Sequence, residues 1–144
     1  MPTILRNVLG VVIGLVVGGA VNMSLVMAGP SVIPPPPGVD MATAEGLAKG
    51  MPHLEAKHFV FPFLAHALGT LAGALVAFLV AGSRHAALAF VVGVVFLAGG
   101  IAAAVMIPAP TGFIALDLVA AYIPMAWLAT VIGHRLMGSP GPRA

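Results

Sequence analysis

Three polar side chains stand inside stretches of the chain that are otherwise apolar: Asn22, His66 and Asp117. Histidine exchanges a proton near neutral pH, a carboxylate beside it orients the ring and balances its charge, and an amide offers both a donor and an acceptor. At ~1.5 Å rise per residue, His66 lies roughly 12 Å along a helix beginning at His58. Asp117 lies roughly 7–8 Å from the start of the last apolar run, and Asn22 roughly 9 Å from the end of the first. If those three ends face one side, the three groups share a depth. An ionisable group in an apolar span is costly unless it faces inward and finds a partner. His66 and Asp117 are therefore expected to meet across the helices with Asn22 nearby. Two readings stay open: a hydrogen-bonded clasp fixing helix register, or a proton relay or a binding point for a small ligand or cation, open towards the outer face.

The remaining polar residues support less. Glu55-x-x-His58 forms half of a carboxylate–metal arrangement, with the second half missing, and His53 is a third candidate ligand in the same loop. His58 and His66 are too far apart on one helix to hold a single ion. No second interior histidine shares the depth of His66, so a bis-histidine haem is not expected. His85 and His134 adjoin Arg84 and Arg135, as interfacial anchors do. With no cysteine, thiolate catalysis, disulfides and sulfur-ligated metals are excluded. Ser24, Ser31, Ser83 and Ser139 have no spaced triad partners, and no phosphate loop follows a strand. No cofactor or metal is expected. The reading leans away from an enzyme, with His66 and Asp117 as the one acid–base pair a catalyst could use. No Lys/Arg stripe exists to engage nucleic acid.

The elements that must position these groups are set by hydropathy. Of 144 residues, 60% are hydrophobic and 7% charged, too few to cover a soluble surface. Four apolar runs, at about 4–28, 58–81, 86–107 and 112–133, each approach the ~20 residues that cross a hydrocarbon core. None alternates with the period of a barrel strand. The expected fold is an all-α membrane protein, a single four-transmembrane-helix bundle over residues 1–144 with an outer loop at 29–57. Val26-Met27-Ala28 before Gly29 resembles a cleavage site, but the preceding apolar run is too long for a typical signal core. Arg6, Arg84, His85, His134, Arg135 and Arg143 fall on one side. Lys49 and Lys57 fall on the other, offset by Asp40, Glu45 and Glu55. The positive-inside rule then places both termini and the 82–85 turn in the cytoplasm.

Small residues recur every fourth position at Gly10, Gly14 and Gly18, and again at Ala65, Gly69, Gly73, Ala77 and Ala81, which predicts close backbone approach between the first two helices. Pro62 falls early enough in its helix to be harmless, whereas Pro124 lies deep in the fourth and should bend it. Gly18-Gly19 before Met23, Met27 and Pro30 loosely parallels Gly99-Gly100 before Met106, Pro108 and Pro110, which suggests two repeated hairpins. In the outer loop, Pro34 to Pro37 should be extended. Met41, Ala44, Leu47, Ala48 and Met51 mark a short helix on the membrane face or across the bundle mouth, capped by Asp40 and ended by Gly50-Met51-Pro52, with Glu45 and Lys49 paired.

The run from Lys57 to Thr70 (KHFVFPFLAHALGT), the Pro-rich loop, Leu116-Asp117-Leu118 and Tyr122-Ile123-Pro124-Met125-Ala126-Trp127 together resemble small bacterial four-span membrane proteins of unassigned activity. The resemblance implies the bacterial cytoplasmic (inner) membrane and carries no activity or functional residue with it. Two function classes follow from the residues. The leading one is a non-catalytic accessory or self-assembling membrane component, a homo-oligomer or part of a larger complex within the lipid bilayer. The other is a small transporter or ion- or proton-conducting protein using the Asn22/His66/Asp117 band.

Overall fold

A computed structural model of the chain describes residues 1–81, 83 and 86–138. The described residues are helical, with turns and no strand. Six α-helices follow in order: α1 (Thr3–Val32), α2 (Ala44–Gly50), α3 (Val60–Val80), α4 (Ala86–Met106), α5 (Thr111–Ala120) and α6 (Ile123–Leu136). Short 3-10 turns at Met51–His53 and Ala56–Phe59 link α2 to α3. Four stretches are long and apolar enough to cross a membrane: Thr3–Val32, Ala56–Val80, Ala86–Met106 and Thr111–Leu136. Arg84, His85 and Arg143, on which the charge asymmetry partly rests, lie outside the described residues, as does Ser139.

Helix α3 is the centre of the packing, touching α1, α4 and α6. Its seam with α1 is built from the two small-residue stripes. A Cβ added at Gly14 would stand 2.5 Å from the Gly73 carbonyl oxygen, and one at Gly18 would stand 2.6 Å from that of Gly69. Only glycine lets the backbones come this close, and close approach through small residues is how helices associate where lipid supplies no hydrophobic drive. Phe96 of α4 closes over Gly18 and Gly73. The other side of α3 packs through Ala74, Ala77 and Phe78 onto Ala89 and Val92 of α4 and Ala126 and Ala129 of α6. Gly133 makes room for the Phe78 ring, which also meets His134 edge-on at 4.9 Å.

Three expectations need correction. Helix α1 does not end at Ala28 but runs through Pro30 to Val32, so the irregular connection is shorter than 29–57. Proline denies a hydrogen bond to the carbonyl four residues back, yet Gly29 is buried against Phe61 and Ile33 donates to the Gly29 carbonyl at 2.8 Å. Packing against the start of α3 thus carries the helix past its proline.

The last span is broken rather than bent. Helix α5 stops at Ala120, Tyr122 takes φ −119° and ψ −76°, and α6 restarts at Ile123 with Pro124 in its first turn. Pro124 has no N–H for the carbonyl of Ala120. Its ring would also clash with that carbonyl in a continuous helix.

In the connection, Thr43 rather than Asp40 caps α2, accepting from the Gly46 N–H at 3.0 Å. Asp40 sits three residues earlier and accepts from the Ala42 N–H and the Thr43 hydroxyl, holding the cap in place. Lys49 and Glu45 pair at 2.7 Å.

Candidate functional site

The site grows from the break in the last span. Asp117 projects from α5 and is 5% exposed. Its two carboxylate oxygens both lie 2.9 Å from His66 Nδ1 on α3. The hydroxyl of Tyr122 donates to Asp117 Oδ2, also at 2.9 Å. In an unbroken helix, residues five apart point about 140° away from each other around the axis. The interruption at Ala121–Tyr122 removes that divergence and lets Tyr122 reach back to Asp117. The ring of Tyr122 also stacks on that of His66, with centroids 5.7 Å apart. Gly100 of α4 completes the nest, because any side chain there would collide with the Tyr122 hydroxyl.

The structure therefore joins His66 and Asp117 and leaves Asn22 out. Among the described residues Asn22 makes no hydrogen bond to either. It is half-buried on the α1–α3 seam, where its Cβ packs against Gly69. His66 precedes Gly69 by three residues and so faces about 60° away from that seam. Spacing from Gly18 identified Asn22 as inward-facing, and facing the seam is not facing the site. Tyr122 is the member that sequence reasoning missed. Its signal was a polar aromatic two residues before a proline deep in an apolar span, where the helix was bound to change direction.

Beside this constellation, at the end that carries the 33–55 connection, lies a cavity of about 230 Å³. Its walls come from the end of α1, the first turns of α3, the last turns of α4 and from α5. Met41, Leu47, Met51 and Leu54 roof it from the connection. Apart from the thioethers of Met41 and Met51, the polar side chains on its wall are His58, His66 and Asp117. Among the described residues His66 Nε2 has no hydrogen-bond partner and is not fully buried, and His66 is one of the residues that line the cavity.

His58 has a different task. Its Nδ1 receives the Glu55 N–H at 2.9 Å, which leaves the ring proton on Nε2 to be donated to the Pro34 carbonyl at 3.2 Å. Glu55 and His58 form a reciprocal cap on the turn into α3. The E-x-x-H spacing that resembled half a metal site here ties the polyproline stretch to the helix. No group of three or more potential metal ligands occurs among the described residues. His53 is exposed in the connection.

Away from the cavity the buried polar side chains among the described residues are Thr70 and Thr130, the latter donating to the Trp127 carbonyl of its own helix. Thr70, one turn further along α3, is buried with its hydroxyl unpartnered, and beyond it the core is Ala74, Ala77 and Phe78. At the far end Arg6 donates to the Val80 carbonyl, and Asn7 accepts from both the N–H and the hydroxyl of Ser83. Compared with family models, curated proteins and solved structures, the chain matches none of them. The likeness to small bacterial four-span proteins thus rests on the quoted segments alone.

Proposed function

We propose that this chain is a four-span bundle of a bacterial cytoplasmic membrane, with both termini inside, that binds a small apolar ligand at its outer mouth. The observation that carries this reading is the cavity whose wall includes the paired His66 and Asp117, with Nε2 of His66 unpartnered among the described residues. A clasp that only fixed helix register would need the hydrogen bonds but not the space, since protein interiors hold few voids larger than a water. A mostly apolar cavity with one or two convergent polar groups is the usual design of a small-molecule site. A conducting pathway has less support, because beyond Thr70 the buried polar side chain among the described residues is Thr130, whose hydroxyl is bonded to its own helix. The short helix α2 then lies over the mouth as a roof. The two-hairpin repeat belongs to the same reading, with Gly18 and Gly100 each buried against the neighbouring helix of its own hairpin.

The second reading, an accessory or self-assembling component, draws on the exposed apolar stripe Ile4, Val8, Val12 and Val16 along α1. Lipid covers such a stripe as well as a partner would. Native mass measurement of protein extracted in mild detergent from its own membrane separates the two. An added small-molecule mass that disappears in Ala104→Phe, which fills the cavity wall, is the expected result. A stoichiometric second polypeptide with no small-molecule mass would favour the accessory role.

A further inference from the structure

Building on the ligand-site reading, we infer that residues 36–54 form a lid that swings as one body, and that its opening governs entry to and exit from the cavity. The segment is closed on itself. Val39 donates to the Pro36 carbonyl at 3.1 Å, and Leu54 to the Met51 carbonyl at 3.1 Å. The Ala42 N–H and the Thr43 hydroxyl both bond to Asp40, and the Gly46 N–H bonds to Thr43. Lys49 pairs with Glu45 in the same stretch. Val39 also packs against Gly50, where any side chain would collide with it, so the two limbs of the segment meet. Among the described residues, no hydrogen bond or ion pair joins 36–54 to a helix of the bundle.

What the segment lays over the cavity is apolar. Met41, Leu47, Met51 and Leu54 are each half-buried and line the space beneath. Apolar contact is non-directional, so parting it breaks no bond of fixed geometry. The chain here is also longer than the connection requires. Pro34 and His58 are already tied together by a hydrogen bond at 3.2 Å, so the residues between them bridge no distance. Surplus length of this kind in a connection is a mark of lids and binding loops.

The hinges lie just above that tie. On one side Pro35 sits in irregular chain, between Pro34 of the base and Pro36 of the lid. On the other, Leu54 is extended at φ −81° and ψ 133° between two 3-10 turns. Rotation about Leu54 leaves its own N–H with Met51 in the lid and the Glu55 N–H with His58 in the base. One or two such residues at each end suffice to carry a hinge motion. The lid therefore moves without giving up a hydrogen bond.

The test uses the full chain in lipid nanodiscs with Ala48→Cys on α2 and Ala115→Cys on α5, both exposed positions in a sequence without cysteine. Spin labels at the two sites should give two distances, a major closed one and a minor open one. Met41→Ala trims the underside of the lid outside α2. It should raise the open population roughly three- to tenfold, as loss of a half-buried apolar side chain allows. Amide exchange at Gly46 and Leu54 should stay unchanged, because their bonds lie within the lid. The probe is para-fluorobutylbenzene, followed by fluorine NMR. Its association and dissociation rates should both rise with the open population, whereas a lost contact alone would speed dissociation only.

A single distance in both proteins overturns the lid. So does amide exchange that rises in step with opening, since the segment would then unravel rather than swing. An unchanged association rate in Met41→Ala overturns the gate and leaves the cavity reading standing. Saturable binding that survives Ala104→Phe, or no saturable binding at all, overturns the cavity reading and the gate with it.

Discussion

Tyr122 lies five residues after Asp117 and hydrogen-bonds back to its carboxylate at 2.9 Å, a contact that exists because the helix between them is broken. The proline that breaks it is thus part of how the site is built. Tyr122→Phe should keep the His66–Asp117 contact and lose one buried hydrogen bond to the Asp117 carboxyl group. A loss of about 1–3 kcal/mol is expected, read as a lower unfolding midpoint in detergent. An unchanged midpoint would mean that water replaces the hydroxyl without loss.

Gly100 exists to admit Tyr122. Gly100→Ala should push the phenol ring off Asp117 and destabilise the fold by about 1–3 kcal/mol, the ordinary range for overpacking. On a Tyr122→Ala background the same change should be close to neutral. A double-mutant cycle on unfolding free energies measures the coupling, and additive effects would refute the contact.

The α1–α3 seam gives a matched pair of glycines. Gly14→Ala places a Cβ against the Gly73 carbonyl, while a Cβ at Gly19 meets nothing within 4 Å. The first should cost about 1–3 kcal/mol. The second should be neutral or slightly stabilising, since alanine is the better helix former. Unfolding of both variants in mixed detergent micelles reads the difference.

Access to the cavity depends on a roof with two fastenings. His58→Phe should release the Pro34 carbonyl and raise protease cleavage within 33–55 several-fold, while α3 stays folded. The other fastening is acid-sensitive. The Ala42 N–H and then the Thr43 hydroxyl hold the Asp40 carboxyl below its ordinary value of 3.8. A group whose folded value is depressed stabilises above its unfolded value and loses that contribution as pH falls through the folded one. The Asp40 contribution to the protease resistance of the connection should therefore be lost below about pH 4. Asp40→Ala should remove the acid step.

Much of this was legible in the residues. Hydropathy alone located four helical stretches, because length and the absence of charge are properties of single segments. The Gly10–Gly14–Gly18 stripe found its counterpart on α3 because small side chains every fourth residue have few other uses in an apolar helix. Depth arithmetic brought His66 and Asp117 together. Asn22 failed the same arithmetic because depth says nothing of rotation about the helix axis, and the seam held it. Tyr122 was hidden because its position depends on where the chain leaves the helix, and a proline marks that only to within a turn. The overrun of α1 through Pro30 depended on Phe61, more than thirty residues away in sequence. The cavity belongs to no segment, since five elements each supply part of its wall.

The thirty residues of α1 span about 45 Å, against the ~30 Å of a hydrocarbon core. Tilt of the usual extent, ~20°, shortens that reach by only a few ångströms. If α1 crosses a bilayer as proposed, one of its ends stands clear of the hydrocarbon. With Arg6 and Asn7 fastened to the far end of α3, the surplus falls at Val26–Val32, beside the cavity. The roof is consequently hung from a rigid post, and the height of the entrance above the lipid is set by a count of helical residues.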